Sequence, residues 1–417
     1  MAATEKYLLK YAEPEVSLLT SLGERLDHAF KHCVCIPAYN EALEFVQRSL
    51  TFLSRHPSTL AIIVLNRPDS DVGVSTQNSI NKTLIEDQAK PLWRNQHLQF
   101  HSVKTRDKPS AILLIDRFDT GEPIPQKQGV GLARKIAADI ALALIDRRII
   151  DSPWIYSTDA DTLLPNNYFE LPTGATNNST AAFILAYKHI ASGDTTIDQA
   201  TQVYEQRLKT YVQGLKFAGS PYAFNTVGST LCISARHYAM VRGFPKRAAG
   251  EDFYLLNKLR KTAAVKELTE PVVQIQSRIS SRTPFGTGPA VAEILDGGAP
   301  NSAEIFYHPQ LFVLLKQLLQ GFENITAGFS DEQKTVPDWQ AIFADSKVIL
   351  SALEAMDFNQ AITHCIENSR SQQQFTTHLM HWFDSFRTLK WLHFARDFSN
   401  CPNIDIEQHR ILVNALS

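Results

Sequence analysis

Five short stretches carry residue types that could do chemistry. The run Trp154–Thr158 ends in Asp159-Ala160-Asp161. Two carboxylates at the end of an apolar strand suit a hard divalent cation, Mg²⁺ or Mn²⁺, which takes oxygen ligands and could neutralise a departing diphosphate. The same triplet also suits a solvated turn with capping aspartates. Pro37-Ala38-Tyr39-Asn40-Glu41 follows an earlier strand. A turn leading into a helix N-terminus there offers backbone N–H groups to an anionic or nucleotide ligand, and Glu41 equally suits a first helical turn. Lys127 to Lys135 opens a helix with Gly129, Gly131, Arg134 and Lys135. Small residues would let a ligand approach the backbone and the cations could meet phosphate, or the segment is a packing loop with a solvated basic face. Gly250-Glu251-Asp252-Phe253 opens another helix. Its acids are either dipole partners or a general base that takes a proton from an acceptor hydroxyl. Finally, Arg278 and Arg282 stand in a loop rich in hydroxyls and glycine. They could close over a diphosphate or decorate a surface loop.

These stretches need elements to position them. The apolar runs His32–Ile36, Ala61–Leu65, Leu98–Val103, Trp154–Thr158, Ala181–Tyr187, Ser229–Ile233 and Pro271–Gln276 read as strands. Helical spacing marks Glu41–Arg55, Ser75–Leu92, Gly131–Arg147, Thr196–Lys216 and Glu251–Lys261. Strands alternating with helices predict an α/β fold, with a mainly parallel sheet covered on both faces. In such sheets ligands bind beyond the carboxyl ends of the strands. Beyond residue 300 only helical patterns remain, at 302–323, 337–356, 372–398 and 404–415. The expected division is a helical lead-in over 1–30, a catalytic domain over 31–299 and a helical region over 300–417.

Composition narrows the function classes. The 417 residues hold 41 Lys+Arg and 43 Asp+Glu, a formal net charge of −2. No global positive field would draw in nucleic acid. Hydrophobic residues make up 44% and charged residues 20%, which argues for a folded chain. Cys33, Cys35, Cys232, Cys365 and Cys401 include no CxxC pair and read as thiols of a reducing compartment. The first residues carry no basic stretch followed by an apolar core, and no apolar run of about 18 residues occurs. The expectation is a soluble cytoplasmic protein without a transmembrane segment, with peripheral membrane contact left open.

In this order the stretches resemble the GT-A nucleotide-sugar glycosyltransferases, in particular the large family 2-like group with Pro-x-Tyr-Asn-Glu, Asp-x-Asp and Glu-Asp motifs. CIPAYNEA is similar to its opening, STDADTLLPNNYF to its metal motif, and TVGSTLCISARHYAMVRGFPKRAAGEDFYLLNKL to its acceptor-side segment. The resemblance spans residues 32–285. It implies a GT-A-like (Rossmann-like) fold and a nucleoside diphosphate sugar donor. By the same resemblance Pro37, Tyr39 and Glu41 line the nucleotide pocket, and Asp159 and Asp161 hold Mn²⁺ or Mg²⁺. Asp252, beside Glu251, is the base if the anomeric centre inverts. Asn66 stands where the family's aspartate run meets the nucleotide base, which leaves uridine and guanosine both open. Lys127, Gly131 and Arg134 fall on the family's Asn-x-Gly-x-x-x-Ala-Arg-Asn segment, here with lysine at both asparagine positions. Apart from the resemblance, Arg278 and Arg282 are further candidates for phosphate contact. The Gln-x-x-Arg-Trp signature of processive synthases is absent, so the expected transfer is non-processive. A sugar-phosphate nucleotidyltransferase and a non-catalytic nucleotide-binding scaffold are the alternatives. Donor sugar, acceptor and oligomeric state are not legible.

Overall fold

The computed structural model describes residues 3–71, 73, 75–279 and 286–416. The chain divides into two compact units, Met1–Asp198 with Thr226–Ala290, and Gln199–Asn225 with Val291–Ser417. The division therefore runs elsewhere than at 30/31 and 299/300. The lead-in belongs to the first unit because Tyr7 is buried there and donates to Asp139 at 2.5 Å. Gln199–Asn225 belongs to the second because Leu215 and Ala218 share a core with Leu311, Phe312 and Leu315.

The first unit is built on one ten-stranded sheet: β1 (His32–Ala38), β2 (Thr59–Asn66), β3 (Lys90–Asn95), β4 (Leu98–Val103), β5 (Ser110–Arg117), β6 (Trp154–Ser157), β7 (Thr162–Leu163), β8 (Thr180–Ile190), β9 (Leu231–Ser234) and β10 (Ala264–Gln276). Their order across the sheet is β3-β4-β5-β2-β1-β6-β9-β8-β10-β7. The centre, β5-β2-β1-β6, is parallel. Every residue of β2 is buried, as the run TLAIIVLN requires of a strand covered on both faces.

Outside that centre the sheet is mixed rather than mainly parallel. β3, β4 and β5 form an antiparallel meander, and β9 runs antiparallel between β6 and β8. Short links such as Asn95 to Leu98 leave no room for the crossover that parallel pairing needs. β5 was not read from the sequence. The expected helix to Leu92 ends at Gln88, and Pro91 lies instead in edge strand β3. Proline cannot supply the helix's hydrogen bond there but is tolerated at an edge.

Helices α1 (Ala3–Lys10), α2 (Glu44–Arg55), α3 (Thr76–Gln88), α4 (Gly129–Asp146), α5 (Thr195–Phe217), α6 (Ala235–Met240) and α7 (Glu251–Arg260) follow the predicted order where predictions were made. Buried residues run along α4 from Gly131 to Leu144. That burial includes charge: Lys135 Nζ donates to Asp139 Oδ2 at 2.8 Å, to Tyr7 Oη at 2.5 Å and to the Tyr11 carbonyl at 3.0 Å. Tyr238 of α6 donates to the same aspartate at 2.8 Å. A buried ion pair survives only when its remaining hydrogen-bonding capacity is met, and these tyrosines meet it.

The second unit is helical, as expected for residues past 300. Its core gathers Leu311, Leu315, Phe322, Phe358, Phe375 and Trp391. The expected 372–398 helix is two, because Asp384 caps a new start by accepting from Arg387 N at 3.2 Å. Among the described residues no helix is long and apolar enough to cross a membrane. Cys33, Cys35, Cys232 and Cys365 are buried free thiols, and Cys401 is half-buried.

Candidate active site

The carboxyl end of the parallel centre gathers three of the acidic stretches, all within the first unit. The β1–β6 ladder is extended one step where Thr158 N donates to the Cys35 carbonyl at 3.0 Å. The chain then turns. Thr162 closes on the Asp159 carbonyl through its amide at 3.3 Å and its hydroxyl at 2.7 Å. This turn carries the carboxylates of Asp159 and Asp161 off the strand end. Arg48 of α2 braces it by donating to the Ala160 carbonyl at 3.1 Å.

Glu41 arrives from the end of β1. Its backbone is held from α3, where the buried Asn81 donates to the Glu41 carbonyl at 2.7 Å. Asn78, also fully buried, accepts from Asn40 N at 3.0 Å and donates to the Asn66 carbonyl at 2.9 Å. Two amides thus fix the ends of β1 and β2 together. Sequence reading missed them. The available signal was Asn78, Asn81 and Ile85 at spacings of three and four, which puts two amides on the buried face of a helix.

Gly250 caps α7 with φ +72°, a left-handed conformation that suits glycine. Glu251 and Asp252 follow in the first turn, where a helix dipole favours acids. Burial and the neighbouring Glu251 nevertheless push Asp252 up to about 7, against the pull of Arg134. Burial and Asp159 likewise push Asp161 up to about 6, against Arg278. Burial raises Glu41 too, and Arg278 opposes it.

Arg134 joins the stretches. It is 3% exposed. Its Nε donates to Glu251 at 2.8 Å, Nη1 to Ser157 Oγ at 2.9 Å and Nη2 to Asp159 at 2.5 Å. Gly228 leaves room for it, since a Cβ there would sit 2.6 Å from Nη2. Burial alone would lower its pKa, and Asp159, Glu251 and Asp252 more than offset that. Arg278, just past β10, meets Asp161 at 2.6 Å and reaches both oxygens of Glu41 at 3.3 and 3.4 Å.

Some of the expected ligand contacts are taken up by the protein itself. Arg134 is not poised for phosphate, because its guanidinium is spent on protein partners. Lys135 faces away, into the Tyr7–Asp139 cluster. Gly131 admits the chain itself: a Cβ would lie 2.5 Å from the Pro245 carbonyl oxygen, and its N–H donates to Arg247 at 3.0 Å. Pro37 is covered inside β1, in register with Val64. Asn66 is buried, with its carbonyl taken by Asn78. Tyr39 stands past the strand end, donating to Asp71 at 3.2 Å. Lys127 is exposed before α4. Arg282 lies outside the described residues.

Five carboxylates (Glu41, Asp159, Asp161, Glu251, Asp252) thus share this corner with three guanidinium groups (Arg48, Arg134, Arg278), an excess of negative charge when all are ionised. Asp159 and Asp161 supply hard oxygen donors. Among the described residues, no group of three or more His, Cys, Asp or Glu side chains is placed to hold a metal ion unaided. Beside the turn, a cavity of about 480 Å³ is walled by α2 and residues from Thr158 to Asn166, with Phe45, Arg48, Phe52 and Asp159 among them. No family model matches the chain, and no curated protein matches it.

Proposed function

We propose that this protein is a non-processive glycosyltransferase, moving a sugar from a nucleoside diphosphate sugar to an acceptor hydroxyl. The observation that carries the reading is the convergence of Glu41, Asp159, Asp161 and Asp252 at one end of the sheet, where Arg134 pairs with Asp159, Arg278 pairs with Asp161 and Glu41, and Asp252 feels the charges of Arg134 and Asp159. Those four acids come from three segments far apart in the chain, after β1, after β6 and at the start of α7.

Asp159 and Asp161 would hold Mg²⁺ or Mn²⁺, hard cations that prefer such oxygen donors. The negative excess of the corner favours such a cation, which would supply charge neutralisation to the leaving diphosphate. Asp252 takes the proton from the acceptor hydroxyl. The freed oxygen attacks the anomeric carbon, and the bond from that carbon to the diphosphate oxygen breaks. A base titrating near neutrality suits that transfer. Glu251 pairs with Arg134 at 2.8 Å and holds the helix start in place. Inversion follows if the attack is direct.

A thermal-shift panel of nucleoside diphosphates and their sugars, with and without Mn²⁺, tests the reading. Stabilisation by a nucleoside diphosphate, and its release from the matching donor when acceptor is supplied, are expected. Pyrophosphate released from a sugar phosphate and a nucleoside triphosphate would favour a nucleotidyltransferase instead. No stabilisation by any nucleotide would leave a scaffold role.

A further inference from the structure

We infer that Arg278 competes with the divalent cation for Asp161, so that loading the site requires Arg278 to let go. This rests on the reading above and concerns the regulation of the same site.

Two of the corner's three guanidinium groups, Arg134 and Arg278, differ in how they are held. Arg134 has three side-chain partners and a side chain only 4% exposed. Arg278 has a side chain 35% exposed and bridges two carboxylates, Asp161 at 2.6 Å and Glu41 at 3.3 Å. Arg134 cannot leave without unpacking the unit, whereas Arg278 can swing into solvent. A cation on Asp161 would lie beside the guanidinium, and like charges at that range repel in a partly buried site. Arg278 therefore neutralises the same carboxylates that the cation would take.

Release has a destination. A diphosphate offers paired oxygens, which a planar guanidinium binds bidentately. Cation and nucleoside diphosphate should therefore enter cooperatively. Each would raise the other's affinity by the same factor.

The test is Mn²⁺ binding by the full chain, read from the free-ion electron paramagnetic resonance signal, first alone and then with UDP or GDP. Arg278→Gln should tighten Mn²⁺ binding in the absence of nucleotide by on the order of tenfold, and shrink the gain that nucleotide brings. Arg278→Lys keeps a charge but cannot bridge both carboxylates, so it should fall between the two and also serves should the Gln variant fold poorly. Unchanged or weaker Mn²⁺ binding in both variants, while the wild type binds UDP or GDP with Mn²⁺, overturns the competition and leaves the transferase reading standing. A wild type that binds neither nucleotide with Mn²⁺ or Mg²⁺ overturns both.

Discussion

Arg134 donates to Glu251 across 2.8 Å, and the bond ties the helix behind the glycines to the start of the helix that bears Asp252. The pair is buried on both sides, with side chains 4% and 6% exposed. Its two ends are 117 residues apart in the chain.

Removing the cation from that pair strands a buried carboxylate. Arg134→Met should cost about 3–5 kcal/mol, read by urea denaturation, and should abolish sugar transfer. Arg134→Lys keeps the charge but cannot reach Glu251, Ser157 and Asp159 together, so it should recover part of the stability and little of the turnover. A Met variant as stable as the wild type would refute the role of this contact.

Asp252 should make activity and stability move in opposite directions with pH. Its carboxyl is raised to about 7 in the folded chain. Unfolded, it titrates near ~4. Between those values the folded state holds a proton that the unfolded state has released, so stability falls as pH rises across that window. Turnover needs the ionised base, so kcat/KM should climb with a midpoint near 7. Asp252→Asn should lose turnover yet melt at a higher temperature than wild type at pH 8. A pH profile without a limb near neutrality would exclude Asp252 as the base.

Asp161 is the sharper probe of the cation. Asp161→Ala should abolish both transfer and Mn²⁺-dependent nucleotide binding, followed by isothermal titration. Donor turnover unchanged in that variant would sink the metal assignment.

Asn81 tests the frame beneath Glu41. Asn81→Ala leaves the Glu41 carbonyl without its buried donor, at a cost of about 1–3 kcal/mol. Nucleotide affinity should fall with it, because the end of β1 loses its anchor. A variant with the wild-type midpoint in urea would assign that anchoring to other contacts.

Gly131→Ala separates packing from binding. The added methyl meets the Pro245 and Arg247 backbone, which cannot swing aside as a side chain tip can. A lowered melting temperature is expected. Normal stability with weakened nucleotide binding would restore the ligand-facing reading of this glycine.

The sequence by itself determined most of the central strands and helices and the order of the acidic stretches, but not β3 or β5. Apolar runs such as Thr59–Asn66 and the turn at Asp159 are set by neighbours a few residues away, so local physics suffices. It also determined that carboxylates would stand at strand ends. What it could not assign were partners. Arg134 and Lys135 are adjacent and read as one basic pair, yet a single helical step turns one to Glu251 and Asp159 and the other to Tyr7 and Asp139. Of these partners, Glu251 lies 117 and Tyr7 128 residues away along the chain. Only the packing of α4 against the sheet and α1 decides which face meets which carboxylate. The same holds for Asn78 and Asn81, whose amides matter because burial leaves the ends of β1 and β2 no water to bond with.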